Sequence, residues 1–183
     1  MIFSLLIIFL FLAALLVVTA LFLFIAFSLF ILSDFAGAPF VPSDSRKIQT
    51  MMELAGIKPG ETIVDLGSGN GSLLIEAARR GAQAIGVEIN PFLVWYTRLR
   101  LRHLPEKKRI LLIRRDFKHY PLHNADVVFL YLWPNTNEKL RFKLEHELKS
   151  RARIVSNSFP LKGWAPSQQK DGVFLYQVVR KQT

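Results

Sequence analysis

Charged and apolar residues are distributed so unevenly that the chain divides into two parts. Residues 1–32 carry no charged side chain, and 29 of these 32 positions are apolar. As a helix this segment is about 48 Å long, whereas the hydrocarbon core of a bilayer is roughly 30 Å thick. The pattern therefore predicts one tilted transmembrane helix, an anchor that occupies residues 1–32.

A cleaved signal peptide is the alternative interpretation, because Ala-Gly-Ala at residues 36–38 has the composition of a cleavage site. The segment nevertheless lacks a basic start, its apolar run exceeds the usual signal-peptide length, and Pro39 follows the small residues. These features favour the uncleaved anchor. Pro39 and Pro42 then mark a linker at residues 33–44, and we expect a separate domain over residues 45–183.

From residue 45 onward, apolar runs of strand length alternate with helical stretches. The predicted strands cover residues 62–66, 84–88, 110–114, 126–132 and 153–156. The predicted helices cover residues 45–55, 72–80, 91–103 and 136–149. A last strand over residues 172–180 has no helix before it, which favours antiparallel pairing. Continuous apolar strands separated by helices are typical of an α/β fold with a parallel sheet covered on both faces.

Composition narrows the chemistry that this domain can support. The 183-residue chain has no cysteine, which excludes disulfides, thiolate nucleophiles and cysteine-based metal sites. Its four histidines lack the spacing of a metal-binding helix, so we expect no metal site. The 24 Lys and Arg residues outnumber the 14 Asp and Glu residues, which gives a net charge of +10, all of it in residues 33–183.

A glycine-rich loop after the first predicted strand is the most informative motif. Gly67, Gly69 and Gly71 permit a tight turn and a close approach of the backbone to a ligand. The last position of the dinucleotide fingerprint is Ser72 or Leu74, depending on which glycine opens it, and no Gly-Lys pair of a phosphate-binding loop follows. A cofactor that contains pyrophosphate is therefore disfavoured.

Acidic residues stand at the ends of the first three predicted strands. Asp65 precedes the first glycine, Glu88 ends the second strand, and Asp116 follows the third. A carboxylate at the first position can accept hydrogen bonds from an ammonium group, and one at the second position can accept them from both hydroxyls of a ribose. A carboxylate at the third position can accept a hydrogen bond from the amine of an adenine that lies beside Phe117. Together these groups describe S-adenosylmethionine. The alternative is a plain tight turn with acids that solvate the strand ends.

These residues resemble motif I and the following acidic positions of class I S-adenosylmethionine-dependent methyltransferases. More narrowly, the chain resembles the membrane-anchored protein-lysine N-methyltransferases whose eukaryotic members act on the ATP synthase c-subunit and the adenine nucleotide translocase. The elements that carry the resemblance are Phe40-Val41-Pro42-Ser43, Val64-Asp65-Leu66-Gly67-Ser68-Gly69-Asn70-Gly71, Gly86-Val87-Glu88-Ile89-Asn90-Pro91, Asp116-Phe117-Lys118 and Ser158-Phe159-Pro160-Leu161 with Trp164.

The resemblance implies a Rossmann-like class I methyltransferase sheet with helices on both faces and S-adenosylmethionine as the cofactor. The cofactor-binding residues are then Asp65, Gly67, Ser68, Gly69, Asn70, Glu88, Asn90, Asp116 and Phe117. The family usually has Asp and Arg where this chain has Asn70 and Ser72. We expect that Asn70 still hydrogen-bonds the methionine part and that cofactor binding survives but weakens.

The acceptor pocket is expected at the end of the fourth predicted strand, where Tyr131, Trp133 and Pro134 lie. Aromatic faces suit a cationic or methylated amine, although core packing accounts equally well for Tyr131 and Trp133. A pocket that removes water from an acceptor lysine lowers the pKa of its amine without a dedicated base. No catalytic residue is therefore assigned.

Basic residues are concentrated between residues 98 and 118, a stretch that contains nine Lys and Arg residues and only two acidic residues. No aromatic residue lies between residues 98 and 116, which argues against nucleic acid and favours a solvated surface near anionic lipid. Arg46 and Lys47 follow the apolar segment. The positive-inside bias then places the domain in the cytoplasm, or on the matrix side of an organelle.

The combined hypothesis is a single-pass, membrane-anchored methyltransferase that modifies a lysine of a membrane protein. Two alternatives stay open at this point. The same fold could methylate a lipid amine, a small molecule or a nucleic acid. The domain could also hold S-adenosylmethionine as a binding module without catalysis.

Overall fold

The computed structural model describes residues 2–35 and 44–179, with side chains for residues 3–28 and 44–179. It forms two compact units, Met1–Ala36 and Gly37–Thr183. The first unit is helix α1, Ile2–Phe35, which extends three residues beyond the predicted segment. Within it, Phe3–Ser28 is long and apolar enough to cross a membrane. Most of the predicted linker, with its element at residues 40–43, lies outside the described residues.

The second unit alternates strands with helices as the apolar pattern predicts. Its helices are α2 (Ser45–Ala55), α3 (Ser72–Arg79), α4 (Pro91–Leu101) and α5 (Pro134–Glu147). Its strands are β1 (Thr62–Leu66), β2 (Gln83–Glu88), β3 (Ile110–Arg114), β4 (Val127–Leu130), β5 (Arg153–Asn157), β6 (Gln168–Lys170) and β7 (Val173–Gln177). Short 3₁₀ helices at Pro105–Arg109 and Phe117–His119 flank β3.

Several elements end or begin at other residues than predicted: α4 ends at Leu101 instead of residue 103, α5 begins at Pro134 instead of residue 136, and β7 ends at Gln177 instead of residue 180. Strand β6 is an addition, because its three residues are polar and exposed and so carry no apolar signal. The fourth strand is shorter than predicted, since the chain leaves the sheet after Leu130 and α5 begins at Pro134. Pro134 suits the first position of this helix because its fixed φ matches the helical value. The N–H that proline lacks would have no hydrogen-bond partner within the helix at this position.

The seven strands form one sheet in the order β3-β2-β1-β4-β5-β7-β6. Strands β1 to β5 run parallel, and β7 pairs antiparallel with β5, which confirms the expectation for the last strand. Helices α2 and α3 pack on one face and α5 on the other. Because the strand order reverses between β1 and β4, their carboxyl ends form the crevice where open α/β sheets bind ligands.

The segment between β5 and β6 is fastened to the sheet by polar contacts. Ser156 Oγ donates to the Phe159 carbonyl at 2.6 Å, and the Leu161 N–H donates to Tyr176 Oη at 2.9 Å. The ring of Trp164 meets Tyr176 edge-on, with centroids 6.0 Å apart. Since Tyr176 is only 1% exposed, its hydroxyl is a buried anchor for the segment that carries Phe159.

Replacing Tyr176 with Phe removes the acceptor of the Leu161 N–H and keeps the ring. We expect the free energy of unfolding to fall by about 1–2 kcal/mol, because a buried donor loses its partner. Denaturant unfolding of the full chain in detergent micelles measures the loss. Tyr96→Phe is the matched control, since the ring of Tyr96 is 41% exposed. Equal losses in the two variants would contradict the anchoring role.

Candidate active site

The glycine-rich loop between β1 and α3 is held against β2 by its main chain. The N–H groups of Gly67 and Ser68 both donate to the Val87 carbonyl, at 2.8 and 3.2 Å. The Gly71 N–H donates to the Ser68 carbonyl at 2.9 Å, which closes the turn before α3. The loop thus brings the N-terminus of α3 to the carboxyl edge of the sheet.

A threonine from α4 packs directly against this loop. Thr97 is fully buried, and its Oγ1 donates to the Gly69 carbonyl at 2.9 Å. A Cβ built on Gly71 would stand 2.5 Å from Thr97 Cγ2, and the φ of Gly71 is +72°. Close approach and left-handed backbone together require glycine at position 71. Arg100 adds a second contact from α4, since it donates to the Asn70 carbonyl at 2.8 Å.

Neither Thr97 nor Arg100 belongs to the residues predicted from the sequence. A signal for Thr97 exists, because it lies on the buried face of α4 between Leu93 and Leu101. A hydroxyl on such a face needs a hydrogen-bond partner, and the loop provides one. Arg100 has no comparable signal, since exposed arginines are common on helices.

Glu88 joins the glycine-rich loop to α4. It is 7% exposed, and its two carboxylate oxygens accept the N–H groups of Gly69 and Asn90, each at 2.9 Å. Asn90 in turn caps α4, because its Oδ1 accepts the Phe92 N–H at 2.9 Å. A carboxylate oxygen has two lone pairs, so Glu88 can accept ligand hydroxyls while it holds the loop.

Asp65 is a buried carboxyl beside Glu88. It pairs with Gly86 of β2 and Phe129 of β4 in the sheet and is 7% exposed. Burial, and in second place the charge of Glu88, raise the pKa of Asp65 to about 7. A cation that binds next to Asp65 stabilises the charged carboxylate, so this position suits an ammonium.

The other predicted cofactor residues lie at the carboxyl ends of β1 and β3. Asn70 Oδ1 accepts the Ser72 N–H at 3.1 Å and so helps to begin α3. Asp116 Oδ1 accepts the Lys118 N–H at 2.9 Å and starts the 3₁₀ helix after β3. Phe117 is 6% exposed and packs in the core, so only a small part of its ring can meet a ligand.

The predicted acceptor residues follow β4 at the same edge of the sheet. Trp133 is 49% exposed, which is incompatible with core packing, and Tyr131 is half-buried. The indole of Trp133 stacks on Phe159, with ring centroids 5.7 Å apart and planes inclined by 27°. Pro134 begins α5. Phe159 is therefore an addition to the predicted set, brought in by the segment after β5.

An unpaired hydroxyl and the tight packing of the glycine-rich loop show what kind of ligand these residues suit. Ser68 Oγ is buried and has no hydrogen-bond partner in the described part of the chain. A Cβ on Gly86 would stand 2.7 Å from this same oxygen, so the loop lies tightly on β2. With Asp65 and Glu88 close by, the edge suits a polar ligand with a positively charged group. The described residues hold no cluster of three His, Asp or Glu side chains suited to a metal.

Comparison with known proteins identifies the family. A family model described as the ANTKMT methyltransferase domain matches residues 65–168, a range that includes every predicted site residue. The chain belongs to this methyltransferase family. The protein is an S-adenosylmethionine-dependent N-methyltransferase, in agreement with the fold class and the cofactor predicted from the sequence.

Named relatives support the same assignment. The methyltransferase is 33% identical over 132 residues to a protein-lysine N-methyltransferase of Saccharolobus islandicus, an alignment that covers 71% of this chain and 82% of that protein. It is 33% identical over 128 residues to the ATP synthase c-subunit lysine N-methyltransferase of Homo sapiens, covering 70% of this chain. The alignment spans only 54% of the human protein, about half of its length.

A solved structure extends the comparison to the cofactor. The RNA methyltransferase from Salinibacter ruber, crystallised in complex with S-adenosyl-L-homocysteine, superimposes with a TM-score of 0.74 and 32% identity. The match covers 78% of this chain and 97% of that chain. S-adenosylhomocysteine is what remains of S-adenosylmethionine after methyl transfer. The cofactor of the present methyltransferase is accordingly S-adenosylmethionine.

Gly71→Ala places a methyl group against Thr97 Cγ2 in a backbone conformation unfavourable to alanine. We expect the affinity of the methyltransferase for S-adenosylmethionine to fall about tenfold or more, because the loop must move. Titration calorimetry in detergent micelles measures this affinity. Thr97→Ser removes the clashing methyl group and keeps the hydroxyl, so the double variant should recover part of the affinity. A double variant no better than Gly71→Ala would contradict the packing of these two residues.

The raised pKa of Asp65 makes the stability of the cofactor-free methyltransferase depend on pH. The folded-state pKa of about 7 exceeds the ordinary value of 3.8, so stability falls as the pH rises between these values. Asp65→Asn stays neutral, and its free energy of unfolding should exceed that of the wild type by about 2–4 kcal/mol at pH 8. Near pH 4 the two proteins should be equal. Unfolding curves at both pH values test this, and a pH-independent difference would refute it.

Proposed function

We propose that this methyltransferase is anchored in a membrane by α1 and methylates a lysine side chain of a membrane protein. The acceptor class is supported by the names of the relatives from Saccharolobus islandicus and Homo sapiens. The anchor is supported by Phe3–Ser28, which carries no charged residue. The observation that carries the proposal is the presence of this helix and the methyltransferase site in one chain. An enzyme held at a bilayer meets mainly membrane proteins and lipids.

The carboxyls at the sheet edge are proposed to hold the cofactor. Asp65 accepts the ammonium of the methionine part, Glu88 accepts the ribose hydroxyls, and Asp116 accepts the adenine amine next to Phe117. The rest of the proposed cofactor lining is Gly67, Ser68, Gly69, Asn70 and Asn90. Bound S-adenosylmethionine supplies a methyl group activated by a positive sulfur. The chain contributes position, because the loop tied to β2 and α4 leaves the ligand few alternative placements.

Tyr131, Trp133 and Pro134 are proposed to form the acceptor pocket, with Phe159 as a fourth member. Stacked aromatic faces attract a cationic or methylated amine. The amine must be neutral to accept a methyl group, and the loss of water around the bound side chain lowers the pKa of its amine. We assign no side chain as a base, and we propose that the ammonium group of the acceptor lysine loses its proton to solvent before the methyl group is transferred.

The sidedness of the anchor is proposed from the charges that follow α1. Arg46 and Lys47 come within 20 residues of the end of Phe3–Ser28. The positive-inside bias places them, and with them the domain, in the cytoplasm or on the matrix side of an organelle. A cleaved signal peptide stays the alternative for the same helix.

An RNA acceptor is the second candidate. Its support is the description of the Salinibacter ruber neighbour as an RNA methyltransferase, at 32% identity. We prefer lysine because two relatives of 33% identity are named for that acceptor. Lipid amines, small molecules and a non-catalytic binding module are the remaining alternatives.

Labelled S-adenosylmethionine separates these acceptors. Membranes from cells that lack the methyltransferase are incubated with the purified full chain, and label is measured in protein, lipid extract and RNA. We expect label in protein, recovered as methyl-lysine after hydrolysis. Trp133→Ala should lower the labelling rate about tenfold or more with cofactor affinity unchanged, because the acceptor loses an aromatic face. Glu88→Ala should instead lose cofactor affinity.

The contrary outcomes are distinct. Label in lipid or RNA and none in protein would replace the lysine acceptor. Cofactor binding without any label would favour the binding module. Release of the full chain from vesicles by a carbonate wash would contradict the anchor and leave the acceptor result intact.

A further inference from the structure

Helix α4 has apolar residues on two opposite faces. Leu93, Val94, Thr97 and Leu101 are buried, and the helix packs on β2 and β3. The other face, here called the α4 stripe, follows the helical spacing i, i+3, i+4, i+7 and consists of Phe92, Trp95, Tyr96 and Leu99, which are 53%, 58%, 41% and 43% exposed. Single exposed apolar side chains are common, whereas a contiguous exposed apolar patch marks an interaction surface. Exposed rings at this spacing therefore indicate a surface that meets something apolar.

Two arginines border the α4 stripe, and two lysines follow it along the chain. Arg98 lies beside Trp95 on α4, and Arg102 continues the stripe one turn beyond Leu99. Lys107 and Lys108 follow in the next short helix. The ion pairs among residues 44–179 involve other cations, so these four charges have no carboxylate partner there.

We propose that the α4 stripe docks the domain on an anionic lipid surface. Trp and Tyr favour the headgroup region of a bilayer, where their rings are in an apolar layer and their polar atoms stay wet. Arg98 and Arg102, on the Trp95 side of the stripe, add attraction to anionic headgroups. Leu99 argues against single-stranded nucleic acid, because an aliphatic side chain offers a base no stacking face. This docking is separate from the acceptor and from the insertion of α1.

The location of the stripe gives docking a consequence for the reaction. The stripe begins at Phe92, two residues after the Asn90 cap, which Glu88 ties to the glycine-rich loop. Docking therefore brings the carboxyl edge of the sheet close to the bilayer. Acceptor lysines at the level of the headgroups are then the ones within reach.

Tryptophan quenching by lipids brominated on their acyl chains tests the docking. The chain has three tryptophans, Trp95, Trp133 and Trp164. We expect emission of the full chain to be quenched in vesicles that contain phosphatidylglycerol and much less in pure phosphatidylcholine. Trp95→Phe should lose most of the quenching, whereas the matched control Trp164→Phe should keep it. Arg98→Gln with Arg102→Gln should lower the docking equilibrium constant about 30-fold.

Several results would overturn the docking. Equal quenching of wild type and Trp95→Phe would show that Trp95 stays out of the lipid, and quenching without regard to anionic lipid would refute the electrostatic part. Protection of Trp95 by single-stranded RNA, with no quenching by lipid, would assign the stripe to nucleic acid. Flotation of the same vesicles measures separately whether α1 inserts into the bilayer. A chain that floats without quenching at Trp95 overturns the docking and leaves the anchor standing.

Discussion

The carboxylate of Glu88 is the interaction on which the site depends. It binds Gly69 of the loop and Asn90 at the start of α4 at the same time, so one side chain sets the relative position of segments that leave two different strands. Its charge also contributes to the raised pKa of Asp65. The unfavourable burial of two neighbouring carboxyls is the consequence, and an ammonium bound at Asp65 would relieve it.

Close packing also holds the loop, in addition to the hydrogen bonds of Glu88. Neither Gly71 nor Gly86 has room for a Cβ, because Thr97 fills the space beside the first and Ser68 the space beside the second. The loop is thus confined between α4 and β2 before any ligand binds. Such preorganisation reduces the entropy lost on binding, and methyl transfer benefits further because it requires aligned reacting atoms.

Local patterns predict most of this fold. Strands β1 to β5 are apolar runs, and the structure confirms the predicted helix start at Pro91. Helix α5 instead begins at Pro134, two residues before the predicted start at residue 136. The acids Asp65, Glu88 and Asp116 could be placed together because parallel strands share a carboxyl edge. The spacing along α4 marks Thr97 as buried, but it does not name the partner Gly69. The stack of Trp133 on Phe159 likewise joins two separate segments and has no signal along the chain.

Helix α4 shows that residues missing from a sequence interval can still lie next to it on the surface of the folded chain. The interval 98–116 has no aromatic residue, yet the helical spacing places Trp95 beside Arg98 and Arg102. Aromatic residues therefore do not distinguish a lipid surface from nucleic acid at this helix, and the proposal of lipid depends on the aliphatic member Leu99. The proposed anchor and the proposed docking face would have different effects on the enzyme. The helix α1 would keep the enzyme at the membrane, whereas the face would fix how the domain lies on the bilayer and so which lysines the site reaches.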